Sequence, residues 1–341
     1  MTKSKKRFNL KRQIFYIFLS LSVSILILSF KGQLLEDSLR NFYRKDICYC
    51  DTLRPHEFVD SLGIPIVDFY SIAGFHIGKQ RNPVSVCFQA DEYFQNNESE
   101  KFNNCVNWII DNSTLADSAR FVNYNYDWLY GMKKPWKSAM AQGLAIKILT
   151  QAYEHTKDTT YLSIINEFIN SFYLPVDSGG ITYLINDSTF WYEEYSHING
   201  ENPMILNGMM FCLDGLYYNY EKTKNLRSLE LFNSGINALE LNLRKYDNGN
   251  LSFYDIQKNI STEYYHKIHV RFLKKFYEIT ENNALKEYYE KWKLYEPENY
   301  LIDKIKNINK TFVFLLIGFS LLIYFVIWLI FRMFLKKKIT Y

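Results

Sequence analysis

Three phrases recur along the second half of the chain: Y-E-H-T-K-D at Tyr153–Asp158, Y-E-K-T-K-N at Tyr220–Asn225 and Y-E-I-T-E-N at Tyr277–Asn282. They lie 67 and 57 residues apart. Long segments with helical apolar spacing flank each one. A threonine followed by a polar Asp or Asn can stop one helix and cap the next. Each phrase therefore reads as the corner of a helical hairpin. Hairpins that bury their inward faces against one another build a toroid or superhelix, and the expected fold class is mainly α.

Outward from these corners, the reading turns to β structure. Gly179–Tyr195 reads as a β-hairpin turning at Asn186-Asp187, and Asp247–Asp255 as a turn with a short strand. Ile64–Ile72 and Phe121–Trp128 carry β-branched and aromatic residues in partial alternation and read as strands. Glu98–Ile110 has helical spacing through Phe102, Cys105, Val106 and Ile109. The expected organisation is a helical domain over residues 131–300, preceded over 31–130 by a polar spacer (32–60) and a small β-containing region.

Both ends read as membrane spans. Ile14–Phe30 is a 17-residue apolar and serine run behind six basic residues, and Phe312–Phe331 is an apolar run of 20 residues followed by Arg332 and Lys336–Lys338. About 20 apolar residues cross a hydrocarbon core as helix. The first run leaves through Ser29-Phe30-Lys31 without a small-residue cleavage site, so an uncleaved signal anchor is expected. Basic flanks place the tails 1–13 and 332–341 in the cytoplasm and the segment between the spans outside. The net charge of +4 conceals an asymmetry. The ends hold twelve of the 40 Lys and Arg and none of the 36 acids, leaving the middle with an excess of eight acids. That balance speaks against nucleic-acid binding. All five cysteines (Cys48, Cys50, Cys87, Cys105 and Cys212) lie in the exported middle, where a Cys87–Cys105 disulfide is permitted. Cys212 reads as plain core.

Three polar-aromatic clusters carry the chemistry: W-Y-E-E-Y at Trp191–Tyr195, F-Y-D at Phe253–Asp255 and Y-Y-H-x-x-H at Tyr264–His269. They supply phenols, carboxylates and imidazoles, side chains that pass protons to and from a weak carbon acid. The chain has no glycine-rich phosphate loop and no convincing metal ligand set, so neither metal nor cofactor is expected. Glu193 and Glu194 are adjacent, and in a strand they point to opposite faces. Only one of them enters a pocket, which also disfavours a glycosidase pair flanking one bond.

These elements, in their order, resemble the C-terminal domain of the D-glucuronyl C5-epimerases, enzymes that invert C5 of glucuronate in a glycan to give iduronate. The resemblance runs from Trp136 to Phe272. It rests on W-K-S-A-M-A-Q-G (Trp136–Gly143), W-Y-E-E-Y, I-L-N-G-M-M (Ile205–Met210), Y-D-x-G (Tyr246–Gly249), F-Y-D and Y-H-x-x-H (Tyr265–His269). It implies an incomplete (α/α) barrel preceded by β structure, with Tyr195, Tyr254, Tyr265 and Glu194 as acid/base residues. Glu193 is then solvated or structural. Where the family has an arginine in Y-D-L-R, this chain has Gln257 in Y-D-I-Q, so a carboxylate anchor is expected to be missing.

Stripping the proton α to a uronate carboxylate requires bases on both ring faces and neutralisation of the growing charge. A phenol ionises near pH 10, so cations or hydrogen bonds must help it act as a base. Lys137, His266, His269 and Arg271 are the candidates. Trp136, Trp191, Gln142, Asn207 and Gln257 complete the expected substrate-binding set. The expected activity is C5 inversion of glucuronate in an exported acidic polysaccharide. A uronate lyase and a non-catalytic glycan-binding membrane protein stay open beside it. The expected partners are that polysaccharide, the membrane and a second copy of the chain in a homodimer.

Overall fold

The computed structural model describes residues 10–43, 57–69, 71–72, 75–186, 189–196, 200, 202–295, 299–306 and 308–337. They divide into two units, one drawn from residues 1–45 and 297–341 and the other from residues 46–296.

In the larger unit the chain starts with short strands. These are β1 (Glu57–Val59), β2 (Pro65–Asp68), β3 (Ser71–Ile72), β4 (Phe75–His76) and β5 (Lys79–Gln80). They form a three-stranded antiparallel sheet ordered β1-β2-β5 and a β3-β4 pair. The helices α1 (Pro83–Gln95) and α2 (Ser99–Asp111) follow, then a hairpin of β6 (Ser113–Ala116) and β7 (Ala119–Val122).

Three helical hairpins come next: α3 (Ala139–Thr156) with α4 (Thr160–Asn170), α5 (Leu206–Thr223) with α6 (Leu226–Asn242), and α7 (Glu263–Thr280) with α8 (Asn283–Trp292). A β-hairpin of β8 (Thr182–Asn186) and β9 (Thr189–Tyr192) separates the first two.

The three recurring phrases make one turn three times. Thr156, Thr223 and Thr280 each donate a hydroxyl to the carbonyl four residues back, at 2.8, 2.7 and 2.7 Å. The same oxygens accept the amides of Asp158, Asn225 and Asn282. Between them Lys157, Lys224 and Glu281 take left-handed φ values of 62°, 59° and 54°, closing each helix. Asp158, Asn225 and Asn282 then accept amides of the following helix. Helices α1, α3, α5 and α7 pack in that sequence, each against its neighbour. The tightest contact is α3 on α5, where a Cβ at Gly215 would lie 1.9 Å from the Gly143 carbonyl oxygen, and one at Gly143 would lie 2.5 Å from Cys212 Cα. Cys212 is fully buried in this seam.

Several expectations change. The strand expected over Phe121–Trp128 stops at Val122, beyond which the chain continues irregularly and Tyr124 bridges to Trp136. Asp247–Asp255 forms no strand, only the isolated bridges Asp247–Ser252 and Phe253–Ile260. Ile64–Ile72 falls on two strands, not one. Cys87 and Cys105 are buried and free, each packed as a small apolar side chain. Cys48, Cys50 and Asp187 lie outside the described residues.

The smaller unit holds α9 (Tyr300–Lys306) between two long helices, the N-terminal Leu10–Tyr43 and the C-terminal α10 (Lys310–Lys337). The N-terminal helix continues through the start of the expected spacer to Tyr43. Leu10–Glu36 and Lys310–Arg332, of 27 and 23 residues, are long and apolar enough to cross a membrane. The two pack together, with Ser320 donating to Ser24 and Tyr324 to Gln13. Asn309 donates to Glu36, which also pairs with Lys304 at 3.3 Å.

Because the α3–α5 contact has no room for a methyl group, Gly215→Ala is expected to destabilise the protein by about 1–3 kcal/mol. Thermal unfolding of the detergent-solubilised full chain measures this, and an unchanged melting temperature would contradict the reading of that seam.

Candidate active site

Just past β9, the backbone is pinned on both sides. Glu193 donates its amide to the Ile181 carbonyl, and its own carbonyl accepts from Ala139, both at 2.8 Å. Successive side chains therefore leave in opposite directions. Glu193 turns inward, is fully buried and accepts the Met204 amide at 3.1 Å. Glu194 turns the other way into a cavity of about 1150 Å³. Its carboxyl lies against the first turn of α5 at Gly208, where a Cβ would come within 2.2 Å of Glu194 Oε2. The glycine of I-L-N-G is thus the space the carboxyl occupies.

Tyr195, Tyr254 and Tyr265 line the same cavity. Trp128 Nε1 donates to the Tyr195 hydroxyl at 3.4 Å, and that hydroxyl also interacts with Glu194 and Tyr254. Tyr254 is fixed through its backbone: its carbonyl accepts the Leu206 amide at 3.0 Å, and its amide donates to the Asn259 carbonyl at 2.6 Å. Tyr265 sits in the first turn of α7, capped by Thr262, with its ring 5.0 Å from that of Tyr254. Asn207 and Trp136 also reach the wall.

Burial pushes the Glu194 carboxyl up to about 7, with the Tyr195 hydroxyl pulling modestly the other way. Burial, and next the Glu194 charge, hold the Tyr195 and Tyr254 phenols well above their ordinary value. At neutral pH both phenols therefore carry their protons, while Glu194 is poised to gain or lose one. Among the described lining residues there is no Lys, Arg or His.

The expected phenol-activating cations lie elsewhere. Lys137 donates to the Gly179 carbonyl and sits over the Phe121 ring. His266 Nε2 donates to the Trp292 carbonyl at 3.0 Å. His269, fully buried, meets the Ser252 hydroxyl at 2.6 Å, and burial pushes it down to about 3. Arg271 is exposed, over the Phe272 ring.

Three further expected contacts also fall outside the cleft wall. Trp191 is fully buried and stacked on Tyr246. Gln142 exchanges two hydrogen bonds with the Val122 backbone, each at 3.1 Å. Gln257 lies on an exposed turn. These seven side chains support or surround the site and do not line it. Glu193 is buried, which removes the solvated alternative.

The motif reading passed over Tyr124, Tyr126, Trp128 and Tyr130, all of which line the cleft. In the sequence they form an aromatic at every second position, the first three of them within the segment expected as a strand (Phe121–Trp128) and Tyr130 beyond it.

The profile of the D-glucuronyl C5-epimerase C-terminus matches residues 116–294. A D-glucuronyl C5-epimerase of Caenorhabditis elegans is 31% identical over 176 residues, covering 46% of this chain and 28% of the worm protein. An uncharacterized protein of Methanocaldococcus jannaschii is 28% identical over 260 residues, covering 69% of this chain and 84% of its own. Among solved structures, a GH76 α-mannanase from Bacteroides thetaiotaomicron aligns at 13% identity with a TM-score of 0.43, covering 79% of this chain and 70% of that one.

The buried carboxyl predicts a pH signature. Below pH 4.5, the ordinary value, Glu194 is protonated whether the chain is folded or unfolded. Between 4.5 and about 7 the unfolded chain releases that proton while the folded chain keeps it. The stability this group contributes is therefore lost as pH rises through that window. Glu194→Gln should melt higher than wild type at pH 8 and equal to it near pH 4. Equal melting at both pH values would contradict the burial assigned to this carboxyl.

Proposed function

The chain belongs to the D-glucuronyl C5-epimerase C-terminal family, and on that premise we propose that it inverts C5 of D-glucuronate residues to L-iduronate in an exported acidic glycan. The observation that carries the proposal is the convergence of Glu194 with the phenols of Tyr195, Tyr254 and Tyr265 on one cleft. We take the row of packed helices as the frame of an incomplete (α/α) barrel, and the two apolar helices as spans that keep both tails cytoplasmic and the cleft outside.

Acid and base are assigned by environment. A carboxyl shifted toward neutrality is suited to remove a proton near pH 7. A phenol held above its ordinary value keeps its proton at neutral pH, so it is not available as the base there, yet it is still far more acidic than a carbanion's conjugate acid and can protonate one. In this reading ionised Glu194 takes the C5 proton from one ring face. The electron pair left behind spreads onto the sugar's carboxyl group as an enediolate. Tyr254, with Tyr265 beside it, delivers a proton to C5 from the other face. Tyr195 contacts both Glu194 and Tyr254. It can pass its own proton to the Tyr254 phenolate while accepting the one on Glu194, restoring both groups, and these O–H protons exchange with the water of the cleft between turnovers. The Asn207 amide and the protonated phenols offer hydrogen bonds to the enediolate in place of a cation.

Incubation of the membrane-embedded protein with an unsulfated glucuronate polymer should yield iduronate signals by NMR, with no absorbance from an unsaturated uronate. Glu194→Gln should lower the rate by about 10²–10⁴-fold, the range of a positioned base. Tyr254→Phe, which removes the proton donor, should reduce conversion below detection. The wild-type rate should fall as pH drops below about 7, as Glu194 takes up its proton. Unsaturated product would identify a lyase instead, and no conversion of any of several uronate polymers would leave a binding protein.

A further inference from the structure

The epimerase reading leaves Tyr130 and Asp255 unused. Tyr130 has φ +58°, in the left-handed region that bulky side chains rarely occupy. Such an outlier persists only where its surroundings over-determine it, and here two contacts do so. Its ring stacks on that of Tyr195, with centroids 5.0 Å apart and planes 23° apart. Its hydroxyl donates to Asp255 Oδ2 at 2.6 Å. Asp255 is fully buried and ties down the loop that carries Tyr254. It accepts the Asn259 amide at 3.1 Å and the Asn259 side chain at 2.6 Å. The Asn259 carbonyl in turn receives the Tyr254 amide. One side chain thus grips the Tyr195 ring through its face and the Tyr254 loop through its tip.

We infer that Tyr130 is a positioning residue that sets the separation of the Tyr195 and Tyr254 phenols, and with it the proton traffic between the two ring faces. The inference rests on the proposed epimerase reading. It does not make Tyr130 an acid or a base. Proton removal by Glu194 does not pass through the Tyr130–Asp255 bond, whereas delivery by Tyr254 and its recharging through Tyr195 depend on the spacing that bond holds.

Loss of the bond should therefore separate two rates that move together in the wild type: exchange of C5 hydrogen with solvent, and inversion. Tyr130→Phe keeps the stacked ring and removes only the hydroxyl. With a glucuronate polymer in deuterated water, it should lower inversion more than exchange, raising the exchange-to-inversion ratio about tenfold, with KM changed by less than about twofold. Asp255→Asn removes the acceptor of both the Tyr130 hydroxyl and the Asn259 side chain, so it should raise the ratio at least as far as Tyr130→Phe. Should Asp255→Asn fail to fold, the ratio for Tyr130→Phe decides alone. An unchanged ratio, whether both rates fall equally or neither falls, overturns the inference while leaving the epimerase reading intact. A wild-type protein that neither exchanges nor inverts overturns both.

Discussion

A buried carboxyl group with no cation beside it among the described residues is the constraint from which the rest of the site follows. Glu194 lies against the first turn of α5 at a glycine and faces three phenols. A charge in such a place is expensive unless it is neutralised or hydrogen-bonded, so the group rests near its protonation midpoint. Burial, and after it the negative form of Glu194, hold the Tyr195 and Tyr254 phenols protonated. One desolvated carboxyl beside two protonated phenols is thus divided from them in acidity, as the proposed base from its donors. That division is what removal and return of a proton at a carbon acid requires.

The scaffold serves this geometry through close backbone approach. Gly143 and Gly215 allow α3 and α5 to meet without side chains between them. The chain leaving β9 is tied to the start of α3, and the Tyr254 backbone is tied to the start of α5. Glu194, Tyr195 and Tyr254 are thus referenced to the same pair of helices. A shift of that seam would move all three together.

What could be read from the residues alone follows from how local the physics is. The hairpin corners were legible because Thr, a left-handed residue and Asp or Asn complete a turn within six residues. Glu194, Tyr195, Tyr254 and Tyr265 were legible as motif positions. Side-chain destination was not. His266 and His269 do share a helix face, but that face turns toward Ser252 and Trp292. Lys137 lies between two wall residues in the sequence order, yet it reaches the Gly179 carbonyl. The aromatics from Tyr124 to Tyr130 show period two, the signature of a strand, but the backbone there makes one β-bridge, at Tyr124, and otherwise turns irregularly. Which side of an element meets a cavity depends on packing from distant parts of the chain, and no local pattern encodes it.

In the proposed reaction Glu194 removes, at this cleft, a hydrogen beside a carboxyl group. The most direct test of this step is the release of deuterium to water from a glucuronate polymer labelled at C5. Wild-type protein should release the label more slowly than it releases hydrogen from the unlabelled polymer, and Glu194→Gln should release almost none. Retention of all the label by the wild type, or equal release by Glu194→Gln, would contradict the account.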